Sequence, residues 1–171
     1  MTPPGRLKVL LEFKNDRYDL QPGDSLFAQA RDFKLFKDSC FADVYQNPKQ
    51  FLAYNDSIVS FNMLQAAMKD SVIQVAYGSV APLNYDSLLF QIAPGNQLRL
   101  SSQTFPISTD YHHLGVSGQY STIVKIKHPI AIHKNKTTVI KIVFALDKNI
   151  FRYLDHFIYS ATVDTFFISN E

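Results

Sequence analysis

The 171-residue sequence contains few of the residues that mark cross-linked, phosphate-binding or membrane-spanning proteins. Its single cysteine, Cys40, excludes an internal disulfide. Only six glycines are present, and no glycine-rich phosphate loop is found. No apolar run reaches the roughly 18 residues that span a bilayer, so no transmembrane span is expected. Basic residues are scattered and the net charge is only +2, so nucleic acid is not an expected partner.

Apart from these absences, the amino-acid composition is that of an ordinary globular protein. Hydrophobic residues make up 46% of the sequence and charged residues 19%, which argues against disorder. A domain of this length buries about 70% of the surface of its unfolded chain, which makes disulfides and metals unnecessary for folding. We therefore predict a single domain over residues 1–171, with residues 1–5 as a flexible leader.

Alternating apolar residues indicate strands at the start of the chain. In residues 7–14 the apolar side chains fall on one face at a spacing of two, which is the strand period. Residues 25–36 form a second run, and its register shifts before Phe33, which is typical of a β-bulge. Cys40 lies next to Phe41 and is interpreted as a buried structural thiol.

The middle and end of the chain continue the pattern. Residues 85–92 are apolar on both faces and predict a central strand, with residues 97–100 returning beside it in a hairpin. Residues 64–70 form the best helical stretch. Residues 101–121 form the longest candidate loop, and three runs follow, the last at 157–168. We predict an all-β, mostly antiparallel β-sandwich of seven to nine strands, with one short helix.

Several short phrases resemble a bacterial domain family found in secreted and lipid-anchored proteins of Gram-negative bacteria. The family's motifs are Asp-Leu-Leu, a tyrosine-containing strand, Val-Pro-Ser-Gly, Gly-Ile-Lys-Leu and a Phe-Asp phrase. The corresponding positions are Phe61-Asn62-Met63-Leu64, Tyr85 to Ile92, Gly115-Val116-Ser117-Gly118, Ile123-Val124-Lys125-Ile126 and Phe144-Ala145-Leu146-Asp147. The family's proline is absent here and its aspartate is displaced. The resemblance implies a transthyretin-like sandwich that is exported, is often lipid-anchored upstream of the domain, and has no enzymatic activity.

Candidate ligand-binding residues cluster in the 101–121 loop. Asp110, His112 and His113 form the densest group of metal-type ligands, although a solvated polar loop is the preferred interpretation and no metal is expected. Tyr111 and Tyr120 are candidate platforms for stacking against sugar rings. Tyr153 and Tyr159, near the end of the chain, are further candidates, although strand faces favour tyrosine in any case. No nucleophile with a supporting base is found, and no cofactor is expected.

One tripeptide pattern, Asp-Ser followed by an apolar residue, recurs four times, at residues 24–26, 56–58, 70–72 and 86–88. It resembles an O-glycosylation signal used on exported proteins by some Gram-negative bacteria. The physical alternative is that Asp and Ser close turns through hydrogen bonds to the backbone, and that the apolar residue opens the next strand.

The sequence therefore predicts a non-enzymatic binding or structural module of the cell envelope, in the periplasm or on the outer-membrane surface. A carbohydrate-binding module and a pilus or adhesin subunit are the alternatives. Its partner is expected to be a glycan or another envelope protein. The abrupt start at Met1 fits a cytoplasmic protein, or an exported one whose signal or lipid-anchored leader has been removed.

Overall fold

The computed structural model describes residues 2–44, 58–109, 122–153 and 156–171. This part of the chain contains thirteen strands and two short helices, which is more strands than the seven to nine predicted. The strands are β1 (Gly5–Lys14), β2 (Phe27–Lys37), β3 (Cys40–Asp43), β4 (Ile58–Asn62), β5 (Val72–Val80), β6 (Asn84–Pro94), β7 (Gln97–Leu100), β8 (Gln103–Ser108), β9 (Ile123–Ala131), β10 (Thr137–Ala145), β11 (Ile150–Tyr153), β12 (His156–Tyr159) and β13 (Thr165–Asn170). The helices are α1 (Met63–Met68) and α2 (Leu146–Asn149).

The strands form three open sheets. The first sheet has the order β13-β10-β1-β5, and the second has the order β3-β2-β6-β9 with β4 also paired to β2. A small third sheet has the order β11-β12-β8-β7. Most pairs are antiparallel, as predicted, but β1 pairs with β10 and β8 pairs with β12 in parallel. The predicted all-β class is confirmed, with a sandwich-like arrangement of sheets.

The first and second sheets share one hydrophobic core. Alternate residues of β1, beginning with Leu7 and ending with Phe13, are almost completely buried. The Phe13 ring stacks on Phe144 of β10, with 5.3 Å between centroids, and also packs 5.6 Å from Phe61 of β4. Because Phe61 belongs to the second sheet, these contacts tie the two sheets face to face. Aromatic pairs at such distances add to the stabilisation that burial provides.

A β-bulge in β2 keeps both halves of that strand facing the core. The register with β6 shifts between Arg31 and Lys34, and Asp32 has a left-handed φ of 60°. Ala30 before the bulge and Phe33 after it are both buried, although an uninterrupted strand would place them on opposite faces. The predicted bulge is confirmed, and its effect is to leave Lys34 on the outer face of the second sheet.

The helix predicted at residues 64–70 is confirmed as α1, which begins one residue earlier and ends at Met68. Asn62 caps it, because its side chain accepts a hydrogen bond from the Gln65 N–H at 3.4 Å. The same Asn62 oxygen accepts from the Leu26 N–H at 3.2 Å. Gln65 donates to the Asp24 carbonyl at 3.0 Å, so the helix start is fastened to the segment before β2.

Three sequence-based predictions about the strands are wrong. Strand β7 pairs with β8 and not with β6, so no hairpin joins residues 85–92 to 97–100. Strand β6 is instead central between β2 and β9, as its apolar faces predicted. The last run divides into β12 and β13, which lie in different sheets. Strand β8 also occupies residues 103–108, inside the segment predicted to be a loop.

The prediction that Cys40 is buried is wrong, because its thiol is exposed. Cys40 begins β3, a four-residue strand that follows a tight turn after Lys37 and lies at the edge of the second sheet. An edge position leaves most of β3 in contact with solvent. Within the described residues, neither helix is long and apolar enough to cross a membrane.

Candidate functional site

The predicted ligand and metal candidates Asp110, Tyr111, His112, His113 and Tyr120 lie outside the described residues, so those predictions stand untested. Among the residues that are described, no group of three or more His, Cys, Asp or Glu side chains comes together as a metal site.

Tyr159, a further candidate for a stacking platform, is excluded from that role by its burial. Its side chain is 0% exposed and lies in the core. Tyr159 is the last residue of β12, where it pairs with Ile150 of β11. Tyr153 ends β11 and pairs with His156.

The Asp-Ser-apolar tripeptides close turns where the structure shows them most clearly. The carboxylate of Asp24 accepts hydrogen bonds from the Gln21 N–H at 2.8 Å and from the Ser101 N–H at 3.0 Å. The carboxylate of Asp86 accepts from the Asp38 N–H at 2.7 Å. Ser87 is buried within β6. The contacts of Asp24 follow the physical alternative, in which Asp closes a turn through backbone hydrogen bonds. The tripeptide at residues 86–88 lies inside β6 and opens no strand, and the one at 56–58 begins outside the described residues.

The outer face of the second sheet carries a distinctive row of side chains. Residues directly opposite one another on neighbouring strands share a face, and the register places Lys34, Leu89 and Lys125 in one row across β2, β6 and β9. The adjacent row contains Phe36, Ser87 and Lys127. We call this surface the cationic face and define it by Arg31, Lys34, Phe36, Phe41, Leu89, Lys125 and Lys127.

The two rows border a shallow groove. Its volume is about 450 Å³, and Phe36, Leu89, Lys125 and Lys127 contribute to its walls. A second hollow of about 410 Å³ lies on the same sheet beside Phe27 and Arg31. Phe27 is 63% exposed and Phe41 is 54% exposed. An extended, open surface of this kind suits a chain-like ligand better than an enclosed small molecule.

The lysines of this face form no ion pair with a carboxylate of the described residues. The described residues contain three ion pairs, and none of them involves Lys34, Lys125 or Lys127. Arg31 donates from Nε to the Gln91 side chain at 3.1 Å. Within the described part of the chain, the ammonium groups of Lys34, Lys125 and Lys127 therefore have no ion-pair partner.

The outer face of the first sheet shows the opposite arrangement. There Lys8 lies 3.8 Å from the Glu171 carboxylate, and Lys141 lies 3.6 Å from the Glu12 carboxylate. Its lysines are thus balanced within the fold, as is usual for a solvated face. The two faces of the sandwich differ in charge although the chain as a whole carries only +2.

Aromatic rings lie beside the cations on the cationic face. The Lys34 ammonium is 4.6 Å from the centroid of the Phe41 ring, and the Phe36 and Phe41 rings are 5.8 Å apart. Strand β3 supplies Phe41, because Phe41 pairs with Phe36 across the β2–β3 ladder. Rings and ammonium groups side by side can contact both the apolar faces and the acidic groups of a ligand.

Two carboxylates mark one end of the groove. Asp38 and Asp86 belong to its lining, and Asp86 is engaged with the backbone of the turn that joins β2 to β3. Asp43 pairs with Lys34 in the β2–β3 register. The positive charge is therefore concentrated on the β9 side, at Lys125 and Lys127.

The cationic face could not be recognised from the sequence, because it depends on the register of β2 with β6 and of β6 with β9. Lys125 and Lys127 alternate with buried residues of β9, a pattern that any solvated strand face shows. Their significance comes from Lys34, which lies about 90 residues earlier and reaches the same face only because of the bulge at Asp32. The sequence does show that Lys alternates with apolar residues at 123–127. In the structure this strand, β9, pairs with the central strand β6.

No protein-family model matches the sequence, and no curated protein matches it. A solved structure that is similar in outline is MbnP from Methylosinus trichosporium, with 8% sequence identity, coverage of 82% of this chain and 76% of that chain, and a TM-score of 0.34. A TM-score below 0.5 does not define a shared fold.

Proposed function

We propose that the protein is a non-enzymatic binding module of the bacterial cell envelope, and that its cationic face holds an anionic polysaccharide. The observation that carries the proposal is the set of lysines on β2 and β9 that form no ion pair among the described residues, beside exposed phenylalanine rings. The exported location and the transthyretin-like type of sandwich are supported by the resemblance in residues 58–64 and 116–151.

The spacing of the cations fits an extended polymer. Lys125 and Lys127 are two residues apart on one strand, which separates their attachment points by about 7 Å. Lys34 lies two strands away from Lys125, at roughly 10 Å. A polysaccharide with one carboxylate on each sugar presents repeated negative charges along an extended chain, and its sugar faces can pack on Phe36 and Phe41.

Calorimetry with a matched pair of polymers tests the proposal. Polygalacturonate carries a carboxylate on every sugar, and its fully methyl-esterified form has the same backbone without the charge. We expect binding of polygalacturonate that weakens as salt is added, because salt screens exposed charges. Equal binding of both polymers, or binding of neither, would contradict an anionic ligand. Equally tight binding of duplex DNA would contradict the preference for sugars.

Cell fractionation of the full-length gene product tests the location. We expect the protein in the periplasm or at the outer membrane. An intact product that remains in the cytoplasm would contradict the envelope location. It would not decide whether the cationic face binds a polysaccharide, which calorimetry tests separately.

A second candidate function is that of a pilus or adhesin-type subunit that receives a strand from a neighbour. The edge strand β5 favours it. Within the described residues this nine-residue strand pairs with β1 alone, and it contains no proline and no charged side chain. Natural edges are usually protected by such residues, as β9 is by Lys125, Lys127 and Pro129. The bulge opposite Val9 and Leu10 is the protective feature that β5 does have.

Sedimentation velocity over a range of concentrations tests this candidate in the isolated protein. Strand pairing through β5 predicts concentration-dependent association that is reduced by Gln74→Lys and Ser79→Lys, both at exposed positions of the edge strand. A monomer at every concentration would contradict assembly of this chain with itself through β5.

A further inference from the structure

One of the four Asp-Ser-apolar tripeptides lies on the surface, in the turn that joins α1 to β5. It consists of Asp70, Ser71 and Val72, and we call it the exposed triplet. Asp70 is exposed, Ser71 is partly exposed, and Val72 is 47% exposed. All three members of the pattern can therefore be reached from solvent at the same time.

The other two tripeptides that the structure describes in full are built into the fold. Asp24 and Leu26 of the first are almost completely buried, and so are Ser87 and Leu88 of the second. An enzyme that reads three successive side chains cannot reach these positions in the folded protein. Burial therefore separates the exposed triplet from two tripeptides that share its sequence pattern.

The end of α1 fixes the backbone of the exposed triplet. The Ser71 N–H donates to the Ala66 carbonyl at 2.9 Å, and the Asp70 N–H donates to the Ala67 carbonyl at 3.4 Å. These two hydrogen bonds form a Schellman motif, in which the residue after the helix cap takes a left-handed conformation. Asp70 has that conformation, with a φ of 50°. Because backbone groups make both hydrogen bonds, the side chains of Asp70 and Ser71 take no part in ending the helix.

The residue types of the exposed triplet are not those that the fold alone would favour. Glycine is the usual residue in the left-handed position of a Schellman motif, because it has no Cβ atom to clash there, yet this position holds Asp70. Val72 is a large apolar residue that lies outside the hydrophobic core. Recognition of the exposed triplet by another protein accounts for both residues.

We propose that Ser71 is an O-glycosylation site, and that Asp70 and Val72 are the flanking residues that a glycosyltransferase recognises. A glycan is bulky and strongly hydrated, so it needs a surface position such as this turn. The proposal rests on the exported location proposed above, because the sequence pattern is one used on exported proteins. It does not depend on polysaccharide binding by the cationic face.

The reaction is the transfer of a sugar from a lipid diphosphate carrier. The Ser71 Oγ forms a bond to the anomeric carbon of the sugar, and the bond between that carbon and the diphosphate oxygen breaks. The lipid diphosphate leaves with the bonding electrons, and a base of the transferase takes up the hydroxyl proton.

Peptide mapping by mass spectrometry tests the proposal in a bacterial host that glycosylates exported Asp-Ser-apolar sequences. The full chain carries an export signal and a flexible C-terminal tail with the sequence Asp-Ser-Val, and the host is one in which this tail is glycosylated. We expect a glycan on the peptide that contains Ser71 and none at Ser25 or Ser87. An unmodified Ser71 beside a modified tail would overturn the proposal, and so would a glycan at Ser25 or Ser87. Because the modified tail shows that the protein was exported, a negative result at Ser71 is distinct from a failure of the envelope location.

Variants of the exposed triplet separate recognition from folding. Ser71→Ala should abolish the glycan, and Ser71→Thr should keep it, because threonine supplies the same hydroxyl group. Asp70→Gly should also abolish the glycan, although urea denaturation should show an increased free energy of unfolding, since glycine suits the left-handed position. Loss of the glycan in this variant cannot then be attributed to misfolding.

The control variant is Ser39→Ala. Ser39 follows Asp38 in an exposed turn but precedes Cys40 instead of an aliphatic residue, so its removal should leave the glycan unchanged. A glycan that persists on the same peptide in Ser71→Ala or Asp70→Gly, or one that is lost in Ser39→Ala, would overturn the proposal.

Discussion

The ammonium group of Lys34 lies 4.6 Å from the centroid of the Phe41 ring, across the β2–β3 ladder at the edge of the second sheet. The other outer face has a comparable pair, in which Lys141 lies 5.4 Å from the Phe167 centroid. The two pairs differ in their surroundings, because Lys141 is also bound to the Glu12 carboxylate whereas Lys34 has no ion-pair partner among the described residues.

This difference yields a prediction about polysaccharide binding. Phe41→Ala should weaken the binding of polygalacturonate by a few-fold, since the ring is 54% exposed and beside the unpaired lysines. Phe167→Ala removes an equally exposed ring, 55% exposed, from the other face and should leave binding unchanged. Calorimetry on the two variants makes the comparison. A similar loss in both would show that the effect of the ring is unrelated to the cationic face.

A second prediction concerns Gly5, where the chain enters β1. A Cβ atom at this position would lie 2.4 Å from the His133 carbonyl oxygen and 2.5 Å from the Ile132 side chain. We expect Gly5→Ala to lower the free energy of unfolding by about 2 kcal/mol or more, since a backbone oxygen cannot move aside easily. Urea denaturation measures the change. Gly95→Ala is the matched control, because its Cβ would meet only the Phe27 carbonyl at 3.4 Å, and its cost should be clearly smaller.

The two-residue turn between β7 and β8 supports a third prediction. Ser101 and Ser102 both have left-handed φ angles, of 52° and 64°. Such turns favour glycine in the second position because it pays no steric penalty there. Ser102→Gly should therefore raise the free energy of unfolding by roughly 0.5–1 kcal/mol. Ser102→Val, with a β-branched side chain at the same position, should lower it. The reverse order of the two variants would contradict the turn geometry.

The ion pair between Lys148 and Asp164 predicts a dependence of stability on pH. The hydrogen bond and charge of Lys148 hold the pKa of Asp164 below its ordinary value of 3.8, and those of Asp164 raise the pKa of Lys148 above 10.5. The stabilisation is thus present at neutral pH, is lost as the pH falls through the lowered Asp164 pKa, and is lost as the pH rises through the raised Lys148 pKa. Both groups are largely exposed, so the effect is small.

Thermal unfolding of Asp164→Asn alongside the unaltered protein measures this effect. The variant should unfold at a slightly lower temperature at neutral pH, and the two curves should converge in strong acid. A difference that stays constant down to pH 2 would mean that the ion pair does not cause it.

Much of the fold could be predicted from the sequence because burial follows local periodicity. The alternation in residues 7–14 identified β1, and the apolar faces of residues 85–92 identified β6 as central. The bulge before Phe33 was also visible, because the buried residues change parity there. These features depend on neighbouring residues, which a single sequence displays directly.

Pairing between distant strands could not be predicted in the same way. Nothing local in residues 97–100 distinguishes pairing with β6 from pairing with β8, and the parallel contact of β1 with β10 joins segments about 130 residues apart. Cys40 was assigned to the core because its neighbour Phe41 is aromatic, but an edge strand exposes both. The cationic face depends on such distant pairings, so its lysines were recognisable only once the register was known.

The most direct test of the cationic face is a comparison of two double variants that remove the same charge from opposite faces. Lys125→Gln with Lys127→Gln removes two cations that form no ion pair among the described residues, and Lys8→Gln with Lys141→Gln removes two that are already paired. We expect the first double variant to bind polygalacturonate at least about tenfold more weakly, and the second to bind within about twofold of the unaltered protein. Equal losses in the two variants, or full binding by the first, would contradict this expectation.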